Sequence, residues 1–146
     1  MPADLEFIAF DGEEYLPIGD DEYVRRAGEE SFAHIALAVN MDGIGYVGGA
    51  NTIAQFNLAP EQASRLEAIV SRYPAVQWVE PWPQSNHSTF TFRGVPALAF
   101  SSSGAFGLAH FPHDTIEQVP GTGGHTSHDS RRVGGCLTAQ PQCPAP

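Results

Sequence analysis

The sequence predicts an α/β protein built on a parallel or mixed sheet. Two almost wholly apolar runs, residues 5–10 and 34–40, are typical of buried strands, and a short helix is predicted between them. Each run ends at acidic residues, with Glu13 and Glu14 after the first and Asp42 after the second. A right-handed βαβ crossover places both strand ends on the same edge of a sheet. We therefore expect these three carboxylates to lie close together.

Two helices are predicted from their ends and their apolar faces. Over residues 20–28, acids fill the first turn, arginines fill the last, and Gly28 ends the segment, as the helix dipole and the C-cap favour. Over residues 59–73, Pro60 suits the first position of a helix. This second helix carries an apolar stripe of Ala63, Leu66, Ile69 and Val70.

Shorter elements are predicted from apolar runs bounded by turn residues. Strands are expected at 52–58, 76–79 and 95–100, and a helical turn at 88–92. Residues 101–107 are rich in serine and glycine and predict a loop. From Pro120 to the C-terminus, apolar periodicity is absent, and we expect a disordered or non-native tail over 120–146.

Size and charge limit the functions that the chain can have. Its 146 residues suffice for one domain with a real core. The net charge of -10 makes nucleic-acid binding improbable, because a phosphate backbone requires a basic surface. A metal ion or a free amine suits the charge better, although solubility alone would also explain it. No signal peptide or membrane-spanning run is visible, and the compartment is not assigned.

Four side chains follow apolar segments and have the chemistry of a zinc site. Glu13, Glu14, Asp42 and His110 offer carboxylate oxygens and imidazole nitrogens, which suit Zn²⁺. A catalytic zinc also needs a nearby base that is not a ligand, and adjacent glutamates can divide those two roles. Taken by composition alone, two acids in a loop are more often a solvated surface than a site.

The sequence around these residues resembles the ordered motifs of the M28 family of zinc aminopeptidases. The motifs are FIAFDGEE at 7–14, NMDGIG at 40–45, SNHSTF at 85–90 with GVPA at 94–97, and HFPHDTIE at 110–117. They occur in the family's order and at plausible spacing, over roughly residues 4–119. The resemblance implies a three-layer α/β/α fold with a mixed, mostly parallel central sheet. It also implies two zinc ions, peptide substrates with a free N-terminus, and a parent protein that is often exported.

The resemblance assigns a role to each of the four side chains. Glu13 matches the general base that deprotonates the attacking water. Glu14 and His110 match ligands of one zinc, and Asp42 matches a ligand of the second. Hydrolysis of N-terminal peptide bonds is the activity that these roles imply.

Two further residues are implied as supporting positions. His87 lies in a motif that usually reads Ser-Asp-His, where Asn86 here replaces the acid. We expect His87 to lie beside a metal ligand or beside the substrate. Asp114 is expected to orient the loop that carries His110, as outer carboxylates of metal sites do.

The chain also departs from the family's pattern. The family draws a histidine of a His-x-Asp motif and a bridging aspartate from sequence before the Glu-Glu strand, and neither has a counterpart here. We therefore expect residues 1–119 to be the C-terminal part of a peptidase domain, incomplete on its N-terminal side, with impaired activity. Two alternatives stay open: a glutaminyl-cyclase-like zinc acyltransferase, and a metal-free module of the same fold that binds a partner.

Overall fold

The computed structural model describes residues 4–14, 16–107 and 109–119, so the predicted tail over 120–146 lies outside the described residues. The helices are α1 (Ile18–Ala27), α2 (Pro60–Val70) and α3 (His87–Thr91). The strands are β1 (Ala38–Met41), β2 (Asn51–Phe56), β3 (Val76–Trp78) and β4 (Ala97–Ser102). Short 3₁₀ helices lie at Glu29–His34, Ala105–Gly107 and Ile116–Gln118.

The four strands form an open mixed sheet in the order β1-β4-β2-β3. The β1–β4 and β2–β3 pairs are parallel, and the β2–β4 pair is antiparallel, so the sheet is mostly parallel as predicted. Ile53 and Ala54 are consecutive in β2 and both fully buried. Because consecutive side chains of a strand point to opposite faces, the sheet is covered on both sides at this strand. These features confirm the predicted α/β class.

The helices α1 and α2 confirm the predictions from their sequence signals. Acids occupy the first turn of α1, arginines occupy its last turn, and Gly28 follows with φ of 76°, a conformation that favours glycine. In α2, Pro60 stands at the first position, and Gln62 Oε1 accepts a hydrogen bond from the Ala59 backbone N–H at 2.9 Å.

An aromatic cluster joins α1, α3 and the segment before the Glu-Glu turn. Phe32 and Phe90 are buried, with ring centroids 5.7 Å apart, and Tyr23 of α1 packs on both. Phe10 packs edge-on against Tyr23, with a centroid distance of 5.8 Å. This packing fixes the chain just before Glu13 against the helices.

The predicted strand at residues 5–10 is wrong. The segment pairs with none of the four strands, and Leu5 and Phe7 are 79% and 78% exposed. Apolar composition is necessary for a buried strand but does not supply the neighbouring strand that its backbone must pair with. Only Phe10 at the end of the run enters a core, and the predicted βαβ unit is not formed by the described residues.

The second apolar run is also placed differently from its prediction. His34 ends a 3₁₀ helix, and the strand begins at Ala38. Of the four described strands, β1 lies at an edge rather than in the interior, and its Met41 is 65% exposed. The predicted loop at 101–107 is likewise shorter, since β4 extends to Ser102 and a 3₁₀ helix follows.

Across the described ranges, none of the helices has the length and apolar character needed to cross a lipid bilayer.

Candidate active site

Glu13, Glu14, Asp42 and His110 line one pocket of about 170 Å³. Glu13 and Glu14 lie in the turn that leads into α1, and Asp42 directly follows β1. Further lining comes from Gly43, Gln84, Ser101, Ala105 and Ala109. The structure thus brings together the four residues predicted from the sequence, although the 5–10 strand that was expected to deliver two of them does not form.

Glu14 and His110 are in direct contact. The distance from His110 Nε2 to Glu14 Oε2 is 3.3 Å, and both side chains are largely exposed. His110 has φ of 70°, a backbone conformation that few residues other than glycine adopt. Backbone outliers of this kind cluster at active sites and ligand-binding segments.

The carboxylate of Glu13 lies close to three other acidic side chains. Burial raises the pKa of Glu13, and the negative charges of Glu14, Asp42 and Asp20 raise it further, while His110 lowers it. Because the like charges oppose ionisation, Glu13 holds a proton more readily than a free carboxylate does. A carboxyl with a raised pKa is suited to accept and return a proton.

Asp42 is held by a short chain of hydrogen bonds that the sequence did not predict. Ser85 Oγ donates to Asp42 Oδ2 at 2.7 Å, and Asn40 Nδ2 donates to Ser85 Oγ at 3.0 Å. The Asp42 backbone N–H donates to the Phe100 carbonyl at 3.0 Å. Ser85 has φ of 144°, an unusual value for a residue other than glycine. Its place at the start of the SNHSTF motif was the only signal in the sequence.

His87 is buried and is not among the residues that line the pocket. Its ring stacks on Trp82 and packs at a tilt against Phe56, at centroid distances of 4.7 and 4.6 Å. Its Nε2 lies 2.6 Å from the Trp82 carbonyl oxygen, so this nitrogen carries the proton. Burial lowers the pKa of His87, which favours the neutral ring. Its predicted place beside a ligand or substrate stays a prediction.

Asp114 is exposed and also lies outside the pocket lining. Its backbone N–H donates to the Phe111 carbonyl at 2.9 Å, which closes a turn after His110. The predicted orienting role of its carboxylate stays a prediction.

The donor atoms of the pocket fit part of a zinc coordination sphere. Two ligand atoms bound to one tetrahedral zinc at usual bond lengths lie about 3.4 Å apart. The contact between Glu14 and His110 has nearly this length. No group of three or more His, Cys, Asp or Glu side chains in residues 4–14, 16–107 and 109–119 is arranged to hold a metal. Among the described residues, Glu14 and His110 therefore fit two positions around one ion, and Asp42 is a further carboxylate in the same pocket.

The comparisons with known proteins define the class of this chain. The profile of Peptidase family M28 matches residues 1–130, which is most of the 146-residue chain. The chain therefore belongs to peptidase family M28. No curated protein matches it.

Two solved structures share its fold. An aminopeptidase from Aneurinibacillus sp. strain AM-1 aligns with a TM-score of 0.58 and 22% identity, over 75% of this chain and 27% of its own. BSAP, a zinc aminopeptidase from Bacillus subtilis, aligns with a TM-score of 0.59 and 20% identity, over 76% of this chain and 30% of its own. The chain thus spans less than a third of the length of either structure.

Proposed function

We propose that this chain carries part of the active site of a zinc aminopeptidase, which hydrolyses the N-terminal peptide bond of peptides. The observation that carries the proposal is the meeting of Glu13, Glu14, Asp42 and His110 in one pocket. Membership of peptidase family M28 supports the reaction class. The zinc aminopeptidase among its structural neighbours supports the choice of metal.

The four residues are proposed to act either as the general base or as metal ligands. Glu13 takes a proton from the attacking water and returns it to the leaving amine, as its raised pKa favours. Glu14 and His110 would hold one zinc and Asp42 the other, with Ser85 keeping the Asp42 carboxylate in one orientation. Zinc, when bound, supplies Lewis-acid polarisation of the substrate carbonyl.

The acidic pocket also selects the substrate. Three carboxylates line it, and His110 is the only basic side chain among the described lining residues. A protonated α-amino group is attracted to such a site, whereas an acetylated amine carries no charge. We therefore propose peptides with a free N-terminus as the substrate class.

The proposal is tested by hydrolysis of leucine anilide with added zinc, beside N-acetyl-leucine anilide as the matched substrate. Slow, zinc-dependent release of aniline from the free-amine substrate alone is the expected result. Because few protein ligands are present among the described residues, elemental analysis should find less than one zinc per chain without added metal.

Other results would point to the alternatives. Cyclisation of N-terminal glutamine without hydrolysis would favour an acyltransferase of the glutaminyl-cyclase kind. Equal rates on the free and acetylated substrates would contradict recognition of the amine. No zinc binding and no hydrolysis at any zinc concentration would favour a metal-free binding module and contradict the proposal.

A further inference from the structure

A buried carboxylate outside the pocket lining joins α1 to α3. Asp20, in the first turn of α1, is only 3% exposed. Its Oδ2 accepts a hydrogen bond from Asn86 Nδ2 at 2.7 Å, and its Oδ1 accepts one from Thr89 Oγ1 at 2.6 Å. We call these three residues, Asp20, Asn86 and Thr89, the Asp20 clamp.

The clamp satisfies a buried charge with neutral donors alone. Asp20 forms no ion pair with a basic side chain in the part of the chain that the structure describes. A buried carboxylate is costly unless its oxygens are hydrogen-bonded, and here each oxygen has one donor. Loss of either donor would leave charge unsatisfied in the interior, so the clamp fixes α1 firmly against α3.

On each side of the clamp, a neighbouring residue contacts a segment that carries pocket residues. On one side, Gly19 precedes Asp20, and its backbone N–H donates to the Asp11 carbonyl at 3.0 Å, two residues before Glu13. On the other side, Ser85 precedes Asn86 and donates to Asp42. The adjacent residues Ser85 and Asn86 thus donate hydrogen bonds to Asp42 and Asp20, respectively.

We propose that Asp20, Asn86 and Thr89 are positioning residues that hold the Glu13–Glu14 turn at a fixed place relative to Asp42. The consequence for catalysis rests on the proposed function, whereas the placement of the turn can be measured without it. Asp20 is absent from the pocket lining, so it acts through the position of other residues.

The clamp requires one partner to be an acid and the other an amide. Asn86→Asp therefore places two carboxylates in contact in the interior. Adding Asp20→Asn restores the pairing with reversed polarity, because the new amide at position 20 donates to position 86 while its oxygen still accepts from Thr89.

The experiment compares Asn86→Asp with the double variant in the full chain labelled with ¹⁵N. Asn86→Asp is expected to lower Tm by about 10 °C, the usual scale for an unpaired buried charge. It should also move the backbone amide signals of Glu13 and Glu14. The double variant should return both Tm and signals toward the wild type. Val70→Ala, a core substitution in α2, is the control that lowers Tm without moving those signals.

Several results would overturn the inference. The inference fails if the Glu13 and Glu14 signals stay in place in Asn86→Asp, move no more than in Val70→Ala, or do not return in the double variant. If Asn86→Asp does not fold, Thr89→Val removes one donor without adding charge. A smaller movement of the same signals in Thr89→Val supports the clamp, and unchanged signals refute it. Failure of the wild type to hydrolyse leucine anilide would contradict the proposed function, while the amide signals would still decide the positioning role.

Discussion

Glu13 and Glu14 are adjacent in the sequence but have different surroundings. Glu13 is half-buried, and its pKa is raised by burial first and then by three other carboxylates, whereas Glu14 is exposed and contacts His110. A residue that exchanges a proton benefits from the first setting, and a residue that binds a cation benefits from the second. The two roles that the family resemblance implies for this pair therefore agree with the local electrostatics.

His87 predicts a pH dependence of stability. Burial lowers its pKa in the folded protein below the value of about 6.5 that an unfolded histidine has. As pH falls below about 6.5, the unfolded chain protonates His87 more readily than the folded protein does. The free energy of unfolding therefore decreases as pH falls, until the pH reaches the pKa of the folded state. At higher pH His87 is neutral in both states, and the folded protein keeps the full stability that the neutral ring allows.

The measurement is urea unfolding of the wild type and His87→Gln between pH 7 and pH 5. The free energy of unfolding should fall less steeply with decreasing pH in His87→Gln than in the wild type. The two slopes should differ by at most about 1.4 kcal/mol per pH unit, the limit for one proton. His34→Gln replaces an exposed histidine and should retain the wild-type slope. A slope for His87→Gln as steep as that of the wild type would show that the ring does not titrate as described.

At the scale of the elements, α1 depends on a close approach to the Glu-Glu turn. A Cβ atom at Gly19 would lie 2.8 Å from both the backbone N and the backbone O of Asp11. Backbone atoms cannot move aside as a flexible side chain can, so a larger residue at position 19 must displace the helix or the turn. The start of α1 and the placement of Glu13 are therefore coupled through glycine.

Gly19→Ala is expected to lower the free energy of unfolding by about 1–3 kcal/mol, the usual cost of overpacking. Gly107→Ala is the matched control, because a Cβ atom there would meet nothing within 4 Å. Thermal unfolding of both variants measures the difference. Equal stability of Gly19→Ala and the wild type would contradict the close contact with Asp11.

Several elements were predictable because their signals are local. The terminal charges and Gly28 marked α1, and Pro60 marked the start of α2. The positions of acids after apolar runs indicated one shared site. The failure at residues 5–10 has a physical cause, since a strand is defined by a partner that its own sequence does not specify. The hydrogen bonds of Ser85 to Asp42 and of Asn86 to Asp20 could not be predicted from the sequence. Their partners are separated by 43 and by 66 positions along the chain.

At the scale of the whole molecule, one open sheet and an aromatic cluster bring distant segments to one acidic pocket. The net charge of -10 and the membership of peptidase family M28 agree with a site for a cation and an amine. We propose that this pocket hydrolyses peptides with Glu13 as the base.

The most direct test is the zinc-dependent rate of leucine anilide hydrolysis by the wild type and Glu13→Gln, with Glu30→Gln as the exposed control. Glu13→Gln should reduce kcat by about 10²–10⁴-fold, the usual contribution of a general base, while Glu30→Gln keeps the wild-type rate. Thermal unfolding of the three proteins should show that all are folded. A Glu13→Gln variant as active as the wild type would contradict the role of Glu13 as the base. A wild type that hydrolyses nothing in excess zinc would contradict the proposed activity.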